Sequence, residues 1–129
     1  MSAQPSRIAL VVSDIDGTLI TSNHEVTAGT KAAAGKLYDR GIALSLASSR
    51  PPRSIVPLAD ALNLGGPFAA LNGALVLKRD GDVLARSVIP AATIARVRNI
   101  ADEFRLSVWL YDEQDWWVPV RNTFVDREE

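Results

Sequence analysis

The sequence contains no cysteine, which removes disulfide bridges, thiolate metal ligands and cysteine nucleophiles at once and leaves the redox compartment unmarked. It has one histidine, His24, which lies in a polar stretch without companion ligands and reads as a surface residue rather than a metal or catalytic group. No charge of one sign dominates: 14 Lys and Arg stand against 15 Asp and Glu, for a net charge of -1. There is no basic field to draw in nucleic acid or an anionic membrane. Long apolar runs are missing too. The longest, residues 8–12 and 68–71, fall far short of the roughly 20 residues that cross a bilayer, and residues 1–7 lack the apolar core of a signal peptide. These absences give the expectation of a cytoplasmic protein with no nucleic-acid and no membrane partner.

What is present is a globular composition, 47% hydrophobic and 22% charged over 129 residues, enough for one domain or a domain and part of a second. Residues 8–12 form a continuous, β-branched apolar run that predicts a strand covered on both faces. A polar turn, Ser13-Asp14-Ile15-Asp16-Gly17-Thr18, follows. Val26, Thr30, Ala33 and Leu37 then recur at helical spacing, with Thr27 as the cap and Gly41 as the stop. A second apolar run, 42–47, leads into Ser48, Ser49 and Arg50. Pro51 and Pro52 open a second helix that runs to about Leu62. After a loop at 63–67, residues 68–71 make a third strand ending at Asn72-Gly73. This βαβαβ pattern predicts a parallel sheet with right-handed crossovers, helices on both faces and ligands at the C-terminal strand ends.

Beyond Gly73 the texture changes. Residues 74–77 and 83–88 read as a hairpin around a turn at 78–81. Ile94, Val97, Ala101 and Phe104 mark one helical face after Pro90, and 106–111 and 116–120 read as two more strands. The expected organisation is an α/β unit over 1–74 followed by an α+β module over 75–129. Trp109, Tyr111, Trp116 and Trp117 lie in the predicted strands, where they serve as packing residues or as a substrate platform.

The residues with chemical potential sit at the strand ends. Asp14 and Asp16, two apart with Gly17 beside them, can offer oxygen ligands to Mg²⁺, and one carboxylate can attack phosphorus while the other carries a proton. The alternative is a solvated turn. The run Asp14-Ile15-Asp16-Gly17-Thr18-Leu19 after an apolar strand resembles the first motif of the haloacid dehalogenase superfamily of phosphohydrolases. The resemblance implies that Asp14 is a nucleophile forming an aspartyl-phosphate and Asp16 the general acid/base. It also implies a magnesium ion on the Asp14 side chain and the Asp16 backbone carbonyl. Ala47-Ser48-Ser49-Arg50 resembles the Thr-Gly-Arg signature of the Cof-type subgroup (subfamily IIB), with Ser48 keeping the hydroxyl that would hold a phosphoryl oxygen and Ser49 replacing a glycine. Ser48 also reads as a helix cap. Asn72-Gly73-Ala74 resembles the end of the first half of the core in that subgroup, although Asn-Gly is also a plain turn signal. Arg50 is either a phosphate or cap contact or an exposed helix-entry residue.

The resemblance therefore implies a Rossmann-like parallel sheet, an incomplete haloacid dehalogenase core, followed by the start of an α+β cap. It also implies hydrolysis of a small phosphorylated metabolite. The lysine and late acidic pair of that superfamily have no counterpart here: Lys31, Lys36 and Lys78 are the only lysines, and none ends a strand that returns to the core after the cap. A chain lacking them is expected to be impaired and to expose a sheet edge through which copies could pair. A non-catalytic phosphate- or Mg²⁺-binding or subunit-pairing protein, and a phosphoacceptor regulator using Asp14, are the alternative functions.

Overall fold

A computed structural model describes residues 7–128. The polar stretch at 1–7 lies, apart from Arg7, outside them. Contacts divide the chain into one compact unit up to Arg86 and a second from Ser87 onward, so the first unit includes the hairpin that the sequence pattern assigned to the second module.

In the first unit the elements run β1 (Leu10–Ser13), α1 (Ala28–Tyr38), β2 (Ala43–Leu46), α2 (Pro52–Ala61), β3 (Phe68–Ala70), a 3-10 turn at Leu71–Gly73, β4 (Leu75–Leu77) and β5 (Val83–Arg86). Strands β1 and β2 pair in parallel, with Leu10 opposite Ala43 and Ser13 opposite Leu46. A parallel bridge between Ala47 and Ala69 ties in β3, and β4 and β5 extend the far edge antiparallel. The predicted α/β class and βαβαβ order are those observed.

Each helix has a local reason to start or stop where it does. Thr27 caps α1, its Oγ1 accepting from the Thr30 N–H at 3.0 Å. The ends of α1 and α2 are closed by the same pair of backbone bonds. Ile42 donates to Leu37 O and Gly41 to Tyr38 O, while Leu64 donates to Ala59 O and Asn63 to Asp60 O. This closure needs one residue in the left-handed region; Gly41 (φ 68) and Asn63 (φ 52) fill it.

The strands alternate sharply. Leu44, Leu46, Phe68, Ala70, Leu75 and Leu77 are buried on one face together with Ala34 of α1 and Ile55 and Ala59 of α2. The opposite face carries Leu10 and Val12, 52% and 58% exposed. This corrects two expectations: β1 is not covered on both faces, and the helices do not flank the sheet. Strands taken in the order β1, β2, β3 with right-handed crossovers put both helices on the same side.

The second unit contains α3 (Ala91–Glu103), the antiparallel pair β6 (Leu110–Tyr111) and β7 (Trp116–Trp117), and α4 (Val125–Glu128). The predicted strand at 106–111 shrinks to two residues because α3 claims its start. Leu106 donates to Ala101 O and Arg105 to Asp102 O, closing the helix with Arg105 at φ 55. The predicted 116–120 strand is likewise only two residues long. On the predicted α3 face Ala101 is buried, whereas Val97 and Phe104 are 48% and 69% exposed. Trp116 packs edge-on against Trp109, centroids 5.2 Å apart, and stacks with Tyr111 at 5.9 Å. Trp117 is exposed. Among the described residues no helix is long and apolar enough to cross a membrane.

Candidate active site

The parallel register of β1 and β2 brings the residues after Ser13 and Leu46 to one end of the sheet. There Ala47 donates to Ser13 O at 2.9 Å. Asp14 follows directly and is exposed. Ile15 next to it is fully buried, and its carbonyl collects the N–H groups of Thr18, Leu19 and Ile20 at 3.3, 2.9 and 3.3 Å. Gly17, at φ 70, makes that tight wrap possible without the steric cost a side chain carries there. The apolar anchor at Ile15 thus sets two acidic side chains, Asp14 and Asp16, on the solvent side of the turn.

Arg50 meets Asp16 with both arms of its fork, Nε to Oδ2 at 2.9 Å and Nη2 to Oδ1 at 2.7 Å. These hydrogen bonds, only partly offset by burial and reinforced by the Arg50 charge, hold the Asp16 carboxyl below its ordinary range. Arg50 Nη2 also lies 3.0 Å from His24 Nδ1. His24 is exposed, as its sequence context indicated, yet it joins a three-residue chain that spacing along the sequence could not reveal. Residues 16, 24 and 50 meet only because β1 and β2 are neighbours.

Ser48 is buried, the one buried polar side chain among the described residues. Its Oγ accepts from the Arg50 N–H at 3.2 Å. The helix-cap reading of Ser48 is therefore not realised: Pro51 is the N-cap of α2, and no side chain caps that end. Ser49 is exposed. The end of β3 is stitched to this turn by backbone bonds, Ser48 N–H to Ala69 O, Asn72 N–H to Ser48 O and Leu71 N–H to Arg50 O, each 3.0 Å. Leu71, Asn72 and Gly73 have φ of 52, 57 and 84. Left-handed backbone is costly for a leucine, and such strain persists where surrounding bonds fix it. The structure thus joins Asp16 to Arg50 by side chains, and Ser48 to Asn72 by backbone, at the same sheet end.

The donor set suits a hard cation in kind, since Asp14 and Asp16 offer oxygen ligands. It is partial in number. Among the described residues no three His, Cys, Asp or Glu side chains gather as a metal cluster, and both Asp16 carboxylate oxygens are engaged by Arg50. The Asp14 carboxylate and the backbone carbonyl of Asp16 are the groups left to offer.

Known proteins resemble this chain in sequence and in fold. The sequence matches the profile of the haloacid dehalogenase-like hydrolases over residues 11–129. It is 28% identical over 108 residues to an HMP-PP phosphatase of Citrobacter koseri, an alignment spanning 84% of this chain and 40% of that protein. Among solved structures, a phosphatase of the haloalkanoate superfamily from Bacteroides thetaiotaomicron superposes with a TM-score of 0.80 at 28% identity, over 99% of this chain and 49% of its own. A subclass IIB sugar phosphatase superposes with a TM-score of 0.77 at 22% identity, over 94% and 47%. The chain spans less than half the length of these relatives.

Proposed function

The chain belongs to the haloacid dehalogenase-like hydrolases, its match running over residues 11–129, and from that footing we propose that it carries the nucleophile side of an Mg²⁺-dependent phosphomonoesterase acting on a small phosphorylated metabolite. In this reading the first unit, up to Arg86, is the first part of the catalytic core, and the residues from Ser87 onward begin the cap. The observation that carries it is the pair of carboxylates held on one buried anchor, Ile15, with Ser48, Arg50 and Asn72 at the same sheet end. A phosphorylated small molecule is the substrate class supported by the names of the relatives, an HMP-PP phosphatase and a sugar phosphatase.

An Asp14 carboxylate oxygen would attack phosphorus while the bond to the leaving oxygen breaks, and Asp16 would give that oxygen its proton. Water would then attack the phosphorus of the aspartyl-phosphate, with Asp16 taking the water's proton and Asp14 released. The Ser48 hydroxyl accepts from Arg50 N–H and keeps its own proton for a phosphoryl oxygen. Asn72 and Arg50 would contact phosphate or substrate. Magnesium, held by the Asp14 carboxylate and the Asp16 carbonyl, would neutralise charge on the transferring group. Asp16 holds a proton less readily while Arg50 grips it, because their ion pair favours the carboxylate. The lysine and late acidic residues expected of the family have no counterpart among these residues, so the 129 residues by themselves are expected to turn over poorly.

The test is hydrolysis of p-nitrophenyl phosphate with Mg²⁺ by a polypeptide carrying this sequence through the full length of its relatives. Turnover lost on chelation supports the reading; no turnover, or turnover indifferent to Mg²⁺, rejects it. A second reading, self-pairing without catalysis, is favoured by the exposed Leu10 and Val12 on β1, a strand that pairs on one edge only among the described residues. Such an edge is a template for a second copy.

A further inference from the structure

We infer that His24 is a positioning residue for Asp16, acting through Arg50. Arginine has no acceptor atom, so in the 3.0 Å contact between Arg50 Nη2 and His24 Nδ1 the guanidinium donates and Nδ1 accepts. The same Nη2 donates to Asp16 Oδ1 at 2.7 Å while Nε donates to Oδ2 at 2.9 Å. One nitrogen is thus shared between the carboxylate and the imidazole. A guanidinium is planar, so a second acceptor on Nη2 helps to fix the plane in which Nε also faces Asp16.

The loop that presents His24 is built to hold it there. Thr21 N–H donates to Glu25 O at 3.0 Å, His24 N–H to Thr21 O at 2.9 Å, and Glu25 N–H to Thr21 Oγ1 at 3.3 Å. His24 itself takes φ 60, a conformation uncommon outside glycine in which Asn, Asp and His are the favoured exceptions. Three separate segments therefore converge on one guanidinium: the wrap after β1, this loop and the turn after β2. The inference rests on the proposed role of Asp16. It adds that the loop at 21–25 sets how tightly Arg50 retains Asp16, and with it how readily that carboxylate is released for proton transfer.

Two substitutions separate the side chain from the backbone. His24→Gly removes the imidazole and tolerates φ 60, whereas His24→Asn keeps an acceptor where Nδ1 stands and also accepts that backbone. The readout is the hydrogen-exchange rate of the Arg50 Nε–H, followed by NMR in the 129-residue chain without substrate. His24→Gly should speed exchange about three- to tenfold, the size of one net hydrogen bond, with His24→Asn within about twofold of the parent on the same scale. The amides of Ile15 and Leu46 should not shift. Unchanged exchange in His24→Gly, or equal acceleration in both variants, overturns the inference. Since no turnover is measured, a failure of hydrolysis would count against the role of Asp16 and leave this result standing.

Discussion

Arg50 closes on Asp16 from 34 positions away in sequence, with Nη2 on Oδ1 at 2.7 Å and Nε on Oδ2 at 2.9 Å. The pair ties the turn after β1 to the turn after β2. It is half open to water, the two side chains being 24% and 48% exposed, so its contribution to stability is discounted to about 0.5–1 kcal/mol.

That contribution has a defined pH dependence. The Asp16 carboxyl lies below 3.8 in the folded chain because of the Arg50 hydrogen bonds, so the native state favours the ionised form. The stabilisation is present above that value and is lost as pH falls through the lowered folded pKa. Urea unfolding of Asp16→Asn against the parent should show a deficit of about 0.5–1 kcal/mol near neutrality. The two curves should converge as the pH drops below 3.8. A constant gap across that range would mean that the substitution disturbs something other than the ion pair.

The turn that carries both acids depends on Ile15 and Gly17 in different ways. Ile15→Ala empties a fully buried site and should cost about 2–5 kcal/mol. Gly17→Ala meets no atom within 4 Å, so its cost is confined to placing a Cβ at φ 70, about 1–2 kcal/mol. Chemical denaturation of the two variants checks the order. Equal losses would show that Gly17 has a packing role.

Much of this could be read along the chain. The Thr27 cap, the Gly41 stop and the two strand-end turns depend on local chemistry that a few neighbouring residues encode, and they fall where the pattern placed them. The bare face of β1 could not be read that way. An apolar run such as 8–12 records what a strand is suited to meet, whereas the coverage of a sheet depends on strand order and crossover hand. The Schellman closure at Arg105 was hidden for a related reason: arginine is a poor signal for a left-handed residue, so Leu106 read as strand. Arg50 and His24 were legible as residues. Their contact was not, since it exists only after β1 and β2 pair.

The exposed face gives a third prediction. Leu10→Lys with Val12→Lys should reduce self-association or raise solubility in the 129-residue chain at a cost below about 1 kcal/mol, as befits positions already in water. Leu44→Lys, 5% exposed on the opposite face, should unfold the chain by burying an unpaired charge. Sedimentation with parallel denaturation distinguishes the two. Severe destabilisation by the Leu10 and Val12 substitutions would mean that their face is covered in solution.

The central claim is that Asp14 is the nucleophile, and the phosphorylated enzyme tests it most directly. A polypeptide carrying this sequence through the length of its relatives, mixed with acetyl phosphate and Mg²⁺ and quenched in acid, should carry one phosphoryl group on the peptide containing Asp14. Chelation of Mg²⁺ or the substitution Asp14→Asn should abolish it. A phosphoryl group found on any other residue, or one that persists in Asp14→Asn, would contradict the account.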